Sequence, residues 1–131
     1  MNNERAVRFA RWVFLIAGIT GIIEIVPLFF LEAMIGRTQP PPITHPEFYY
    51  GFVGVGFAWQ IAFLIIARHP VRYRPLMPAP FLEKLLYPIA VLTLYAQQRV
   101  HSQMLGGAML DLIWLVLFVV VWSKLRLTSP S

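Results

Sequence analysis

Apolar residues run almost unbroken through four stretches of this chain, 9–31, 48–67, 81–98 and 104–122, and polar residues gather between them. Each stretch approaches the roughly 20 helical residues that cross a hydrocarbon core of ~30 Å, so the pattern predicts four membrane-spanning helices. Breakers separate them. Residues 32–47 hold Gly36, Pro40, Pro41, Pro42 and Pro46, which predicts an extended or polyproline-like external loop. Residues 69–80 carry four more prolines, of which Pro80 suits the first turn of the third helix because its missing N–H is unneeded there. The short segment 99–103 makes the third and fourth helices an antiparallel pair. Pro27 and Pro88 should kink the first and third helices and free carbonyls that can line a cavity. With no internal repeat and no second domain, the prediction is one all-α, integral membrane four-helix bundle over residues 1–131.

Composition agrees with this reading. Of 131 residues, 58% are hydrophobic and 13% charged, whereas soluble domains carry roughly 25% charged residues. A soluble domain this small buries only about two-thirds of its unfolded surface and could not hide so much apolar area. The absence of cysteine excludes a disulfide framework, a thiolate metal site and redox thiol chemistry. The net charge of +5 comes from basic residues placed beside apolar segments without forming a basic face, which suits a membrane surface rather than nucleic acid.

The basic residues also predict orientation. Arg5, Arg8, Arg11, Arg68, Arg72, Arg74, Lys84, Lys124 and Arg126 fall on one side, leaving only Arg37 and Arg99 on the other. The positive-inside rule then puts both termini in the cytoplasm. The first apolar stretch is too long for a signal peptide, contains Glu24 and lacks a small-residue cleavage site, so it reads as an uncleaved helix. Trp12, Tyr49, Tyr50, Tyr73, Tyr87 and Trp122 fall near span ends, where amphipathic rings favour the interface. Short connections and one-sided charge suit a bacterial inner membrane.

Candidate chemistry centres on two acidic residues, Glu24 and Asp111, each alone in an apolar run. An ionised carboxylate near a helix centre costs about 2.5–3.5 kcal/mol on insertion scales, so it is expected to face protein, water or a ligand. Glu24 lies about seven residues before the outer end of its helix and Asp111 about seven after the outer start of its own, so at ~1.5 Å per residue both fall ~10 Å below the outer surface. They could meet, and then one should hold a proton unless a cation intervenes. Small residues that permit close helix approach share these faces: Ala17 and Gly21 with Glu24, Gly107 with Asp111, and Gly54, Ala58 and Ala62 along the second helix. Thr20, Gln60, Tyr95 and Gln98 are the expected polar neighbours of a cavity opening toward the outer face, forming a ligand or proton site. A purely structural role, fixing helix register by hydrogen bonds, fits the same residues.

Other chemistry is absent from the sequence. His45, His69 and His101 all lie in connections without metal-ligand spacing, and neither acidic residue is followed by a histidine at i+3. No Ser/His/Asp signature, P-loop or nucleotide-binding glycine motif occurs, so no catalytic residue, metal or cofactor is implied. In the connection HPVRYRPLMPAPFLEK, Arg68, Arg72, Arg74 and Lys84 could hold a phosphate or anionic lipid headgroup, while Glu83 could pair with Arg72 or Arg74 to pin the loop.

An Arg and a glycine-containing first helix (RWVFLIAGITG), a second helix rich in glycine and alanine (GFVGVGFAWQ), a basic proline-containing turn and a final helix together resemble the small DoxX-like four-helix membrane proteins. The resemblance implies an integral membrane protein, in some cases associated with respiratory or redox systems. The small residue and Lys often found late in that family's first helix are replaced here by Ile23, Glu24 and the stretch to Pro27, so no family site residue is carried over. The expected function is a non-enzymatic bundle that binds a partner subunit, a second copy, lipid or an apolar small molecule near Glu24 and Asp111. The alternatives are a proton-coupled small-molecule transporter using that pair and an intramembrane isomerase-like enzyme. Carboxyl groups on opposite faces of the bundle would exclude chemistry shared by the two.

Overall fold

The computed structural model describes residues 3–128, with side chains to residue 125; the side chain of Arg126 lies outside the described residues. Five α-helices form in order: α1 (Asn3–Ile25), α2 (Glu32–Thr38), α3 (Pro46–Arg68), α4 (Pro78–Ala96) and α5 (Met104–Thr128). No strand occurs among the described residues. Four helical segments, Asn3–Phe30, Pro46–Arg68, Arg74–Ala96 and Met104–Leu125, are long and apolar enough to cross a membrane.

Proline sets several of the boundaries. Pro46 and Pro78 open α3 and α4, where an absent N–H leaves no bond unmade. Pro27 ends the α-helix rather than bending it, and the chain continues as a 3₁₀ turn over Val26–Phe30. Residues 32–38 are helical instead of extended, because Glu32, Ala33, Met34 and Ile35 favour helix and the prolines begin only at position 40. The Tyr49 hydroxyl donates to the Leu28 carbonyl at 2.6 Å and the Tyr50 hydroxyl to Glu32 at 2.9 Å, which ties the segment after α1 to α3.

α1 packs along α3, α4 along α5, and α1 also meets α5. In lipid, packing rather than exclusion from water holds helices together, so close fit matters most. One end of the bundle is filled by three rings: Phe14 stacks on Phe118 with centroids 4.4 Å apart, and Phe63 meets Phe118 edge-on at 5.2 Å. Such pairs contribute about 0.5–1.5 kcal/mol each.

Ala17 and Gly21 are buried as expected, but the predicted small stripe of α3 is not its packing face. Gly54 has open space around it, Ala58 is exposed and Ala62 is only partly buried. The face that packs runs through Val53, Gly56, Gln60, Phe63 and Ala67. At 3.6 residues per turn, a strict four-residue stripe drifts about 40° per step around the helix, whereas alternating steps of three and four stay on one side. Gly107 is exposed, with the Tyr87 ring as its nearest neighbour, and is not a packing contact either.

Candidate functional site

α3 and α4 do not pack closely along their backbones and meet through side chains such as the stacked rings of Phe52 and Tyr87, 5.7 Å apart. Between them lies a cavity of about 770 Å³, lined by all four long helices. A volume between roughly 300 and 1,000 Å³ is typical of small-molecule sites. Phe52, Val55, Leu82 and Leu86 line it while remaining half or more exposed, so an apolar mouth faces sideways between α3 and α4. The sequence predicts an opening toward the outer face; the observed cavity extends from Gly51 and Gly107, near the starts of α3 and α5, to Ala79 in the first turn of α4 and opens sideways.

Glu24 and Asp111 both line this cavity, as do Gln60, Glu83, Lys84 and Tyr87. A cation does intervene beside Asp111. Lys84 is buried at 7% exposure, its Nζ 3.4 Å from Asp111 Oδ1 and 3.6 Å from Glu83 Oε2, and 5.4 Å from the centre of the Phe63 ring. This overturns two expectations: Lys84 does not stand with the arginines at a headgroup surface, and Glu83 pairs with Lys84 rather than with Arg72 or Arg74. The signal was present in the helical register, since Lys84 shares the buried face of α4 with Pro80, Pro88 and Val91. Pro88 also cannot donate to the Lys84 carbonyl, which leaves that oxygen without its helical partner.

Glu24 is exposed on the cavity wall, makes no hydrogen bond among the described residues, and lies within electrostatic reach of Lys84 and Asp111. Gln60 is 1% exposed; its Nε2 donates to the Gly56 carbonyl at 3.0 Å, and its Oε1 has no hydrogen-bond partner among the described residues. That oxygen abuts Gly21, where any Cβ would overlap it, so glycine there is what admits the amide.

The remaining expected neighbours stand apart from the cavity. The Thr20 hydroxyl donates to the Ile16 carbonyl of its own helix at 2.7 Å. Tyr95 is exposed on α4. Gln98 terminates that helix with a φ of 58°, while Arg99 N–H reaches the Leu94 carbonyl at 2.8 Å and Gln98 N–H the Tyr95 carbonyl at 2.9 Å. This is a Schellman end, with Gln98 in the left-handed position usually taken by glycine.

The basic connection divides. Arg68 and Arg72 are exposed. Arg74 is occupied: its Nε and Nη2 each donate to the Trp122 carbonyl at 3.3 Å, and the guanidinium lies 3.7 Å from the centre of the Trp122 ring. It pins the connection to α5 and is not free for a headgroup. Among the described residues no group of three His, Asp or Glu side chains has metal-binding geometry.

No family model, no curated protein and no solved structure matches this chain.

Proposed function

We propose that this protein is a non-enzymatic membrane bundle that takes up an apolar small molecule or single lipid from the bilayer into the cleft between α3 and α4. The observation that carries the reading is the form of the cavity. It has an apolar mouth at Phe52, Val55, Leu82 and Leu86 and a polar group at Lys84, Asp111, Glu83 and Glu24. Pockets that bind small molecules combine an apolar lining with a few placed polar groups in this way. In the proposed setting both termini are cytoplasmic, the bilayer is a bacterial inner membrane, and Arg68 and Arg72 face anionic headgroups. A membrane-complex partner or second copy would bind outside the cleft.

Gly107→Leu is the test. The Cβ at this position meets only the Tyr87 ring, at an ordinary 3.8 Å, so the new side chain narrows the cavity without disturbing the fold. Mass spectrometry of organic extracts from purified wild type is expected to find a stoichiometric apolar compound, reduced at least tenfold in Gly107→Leu. An equal yield from both proteins, or none from wild type purified in its native lipids, refutes the proposal.

A further inference from the structure

The hydrogen-bonding state of the cavity wall narrows the class of ligand, and this step rests on the reading of the cleft as a binding site. Two buried side-chain polar atoms lack a hydrogen-bond partner among the described residues: Gln60 Oε1, and Glu83 Oε2, whose charge is nonetheless answered by the Lys84 ammonium at 3.6 Å. Both are oxygens, and both residues line the cavity. The Glu24 carboxylate, which also lines the cavity, accepts no hydrogen bond among the described residues. A carboxylate and an amide oxygen can only accept, so what the site lacks is a donor. The Tyr87 hydroxyl is turned to the Met104 sulfur, 3.9 Å away, and Lys84 is engaged by Asp111 and Glu83.

Formal charge points the same way. Glu24, Glu83 and Asp111 face a single ammonium, Lys84. That ammonium is held by carboxylates of α4 and α5, whereas Glu24 and Gln60 come from α1 and α3. An unpaired acceptor in a low-dielectric site is costly, and a charge-assisted N–H···O bond is the strongest way to satisfy it. Gln60, at 1% exposure, is held in place by Gly21 and cannot turn its oxygen to bulk solvent.

We infer that the cleft selects lipophilic amines: molecules with a protonated primary or secondary amine, seated between Glu24 and Gln60, and an apolar body lying along Phe52, Val55, Leu82 and Leu86. The N–H donors answer the unfilled acceptors, the positive charge answers the excess carboxylate, and the apolar chain continues into the sideways mouth.

The experiment compares dodecylamine, dodecanol and dodecanoic acid, which share one chain and differ in head group. Native mass spectrometry of the full-length protein released from nanodiscs reads the bound fraction of each at equal loading. Dodecylamine is expected to bind at least tenfold more tightly than the alcohol or the acid. In Glu24→Gln its binding falls to the level of dodecanol, which is itself unchanged. Because Glu24 is exposed, that variant keeps the fold, and an unchanged helical circular dichroism spectrum verifies it. A second variant, Gln60→Leu, lowers amine binding severalfold without affecting the alcohol. Equal binding of amine and alcohol overturns the ligand class and leaves the cleft as a general apolar site. A preference that survives Glu24→Gln overturns the placement of the amine. Failure of wild type to bind any of the three overturns this inference and the proposed function together.

Discussion

Lys84 is a buried cation whose two partners are also largely buried, and this makes its removal more costly than the loss of a surface ion pair. Lys84→Met leaves Glu83 and Asp111 facing each other without the ammonium, and breaking a buried pair from one side costs about 3–5 kcal/mol. Thermal unfolding in detergent should register a loss of that order, and adding Glu83→Gln and Asp111→Asn should recover most of it, because the stranded carboxylates are then gone. A triple variant no more stable than Lys84→Met would show that the lysine acts through its packing on Phe63 instead. Gly21→Ala poses a comparable question at the helix contact. Its Cβ overlaps the Gln60 amide oxygen, and overpacking costs about 1–3 kcal/mol. Shortening Gln60 to Ala in the same chain opens that space, so a double-mutant cycle should show the two changes compensating.

Helix ends and faces were legible in the sequence to different degrees, and the difference has a physical origin. Apolar length makes the four helices long enough to cross a membrane readable, whereas α3 and α4 begin at Pro46 and Pro78, a few residues before the expected starts at 48 and 81. Faces are harder to read in an apolar helix, because residues turned to lipid and residues turned to protein have similar hydropathy. Hence Gly54, Ala58 and Ala62 look like a contact stripe yet are not one, and Lys84 looks like part of a basic loop although its register points inward. Glu24, Asp111 and Gln60, which line the cavity, stand out in the sequence because a polar group in an apolar run needs no register to be seen. Gln98 looks like a site residue yet ends α4, since a left-handed helix end without glycine leaves no sequence signature. Left-handed backbone costs about 1–2 kcal/mol in a residue with a Cβ, so Gln98→Gly should stabilise the fold by up to about 1 kcal/mol once the chain-entropy cost of glycine is set against it. Differential scanning fluorimetry would register this as a raised midpoint; a lowered one would mean that the Gln98 side chain makes a contact worth more than the strain.

At the scale of the whole molecule, the position of Lys84 bears on orientation. With Lys84 inside the bundle, eight basic residues rather than nine remain at the ends carrying the termini and the 69–77 connection, against Arg37 and Arg99 at the opposite ends. The bias survives, so the same orientation is expected: termini and residue 71 inside, residues 44 and 102 outside. The native chain has no cysteine, so single cysteines report without a background. Thr44, Ser102 and Val71 are all exposed in connections between the long helices, and none carries charge, so replacing them leaves the orientation signal intact. In intact cells a membrane-impermeant maleimide should label Thr44→Cys and Ser102→Cys, and should reach Val71→Cys only after the cells are permeabilised. The reverse pattern would invert the molecule and carry Glu24 toward the cytoplasmic leaflet, because Glu24 lies near the same bundle end as residue 44. Labelling of all three in intact cells would mean dual insertion, which eight basic residues against two disfavour. Orientation also sets which leaflet supplies the cleft: with residue 44 outside, the end of the cavity at Gly51 and Gly107 belongs to the outer leaflet.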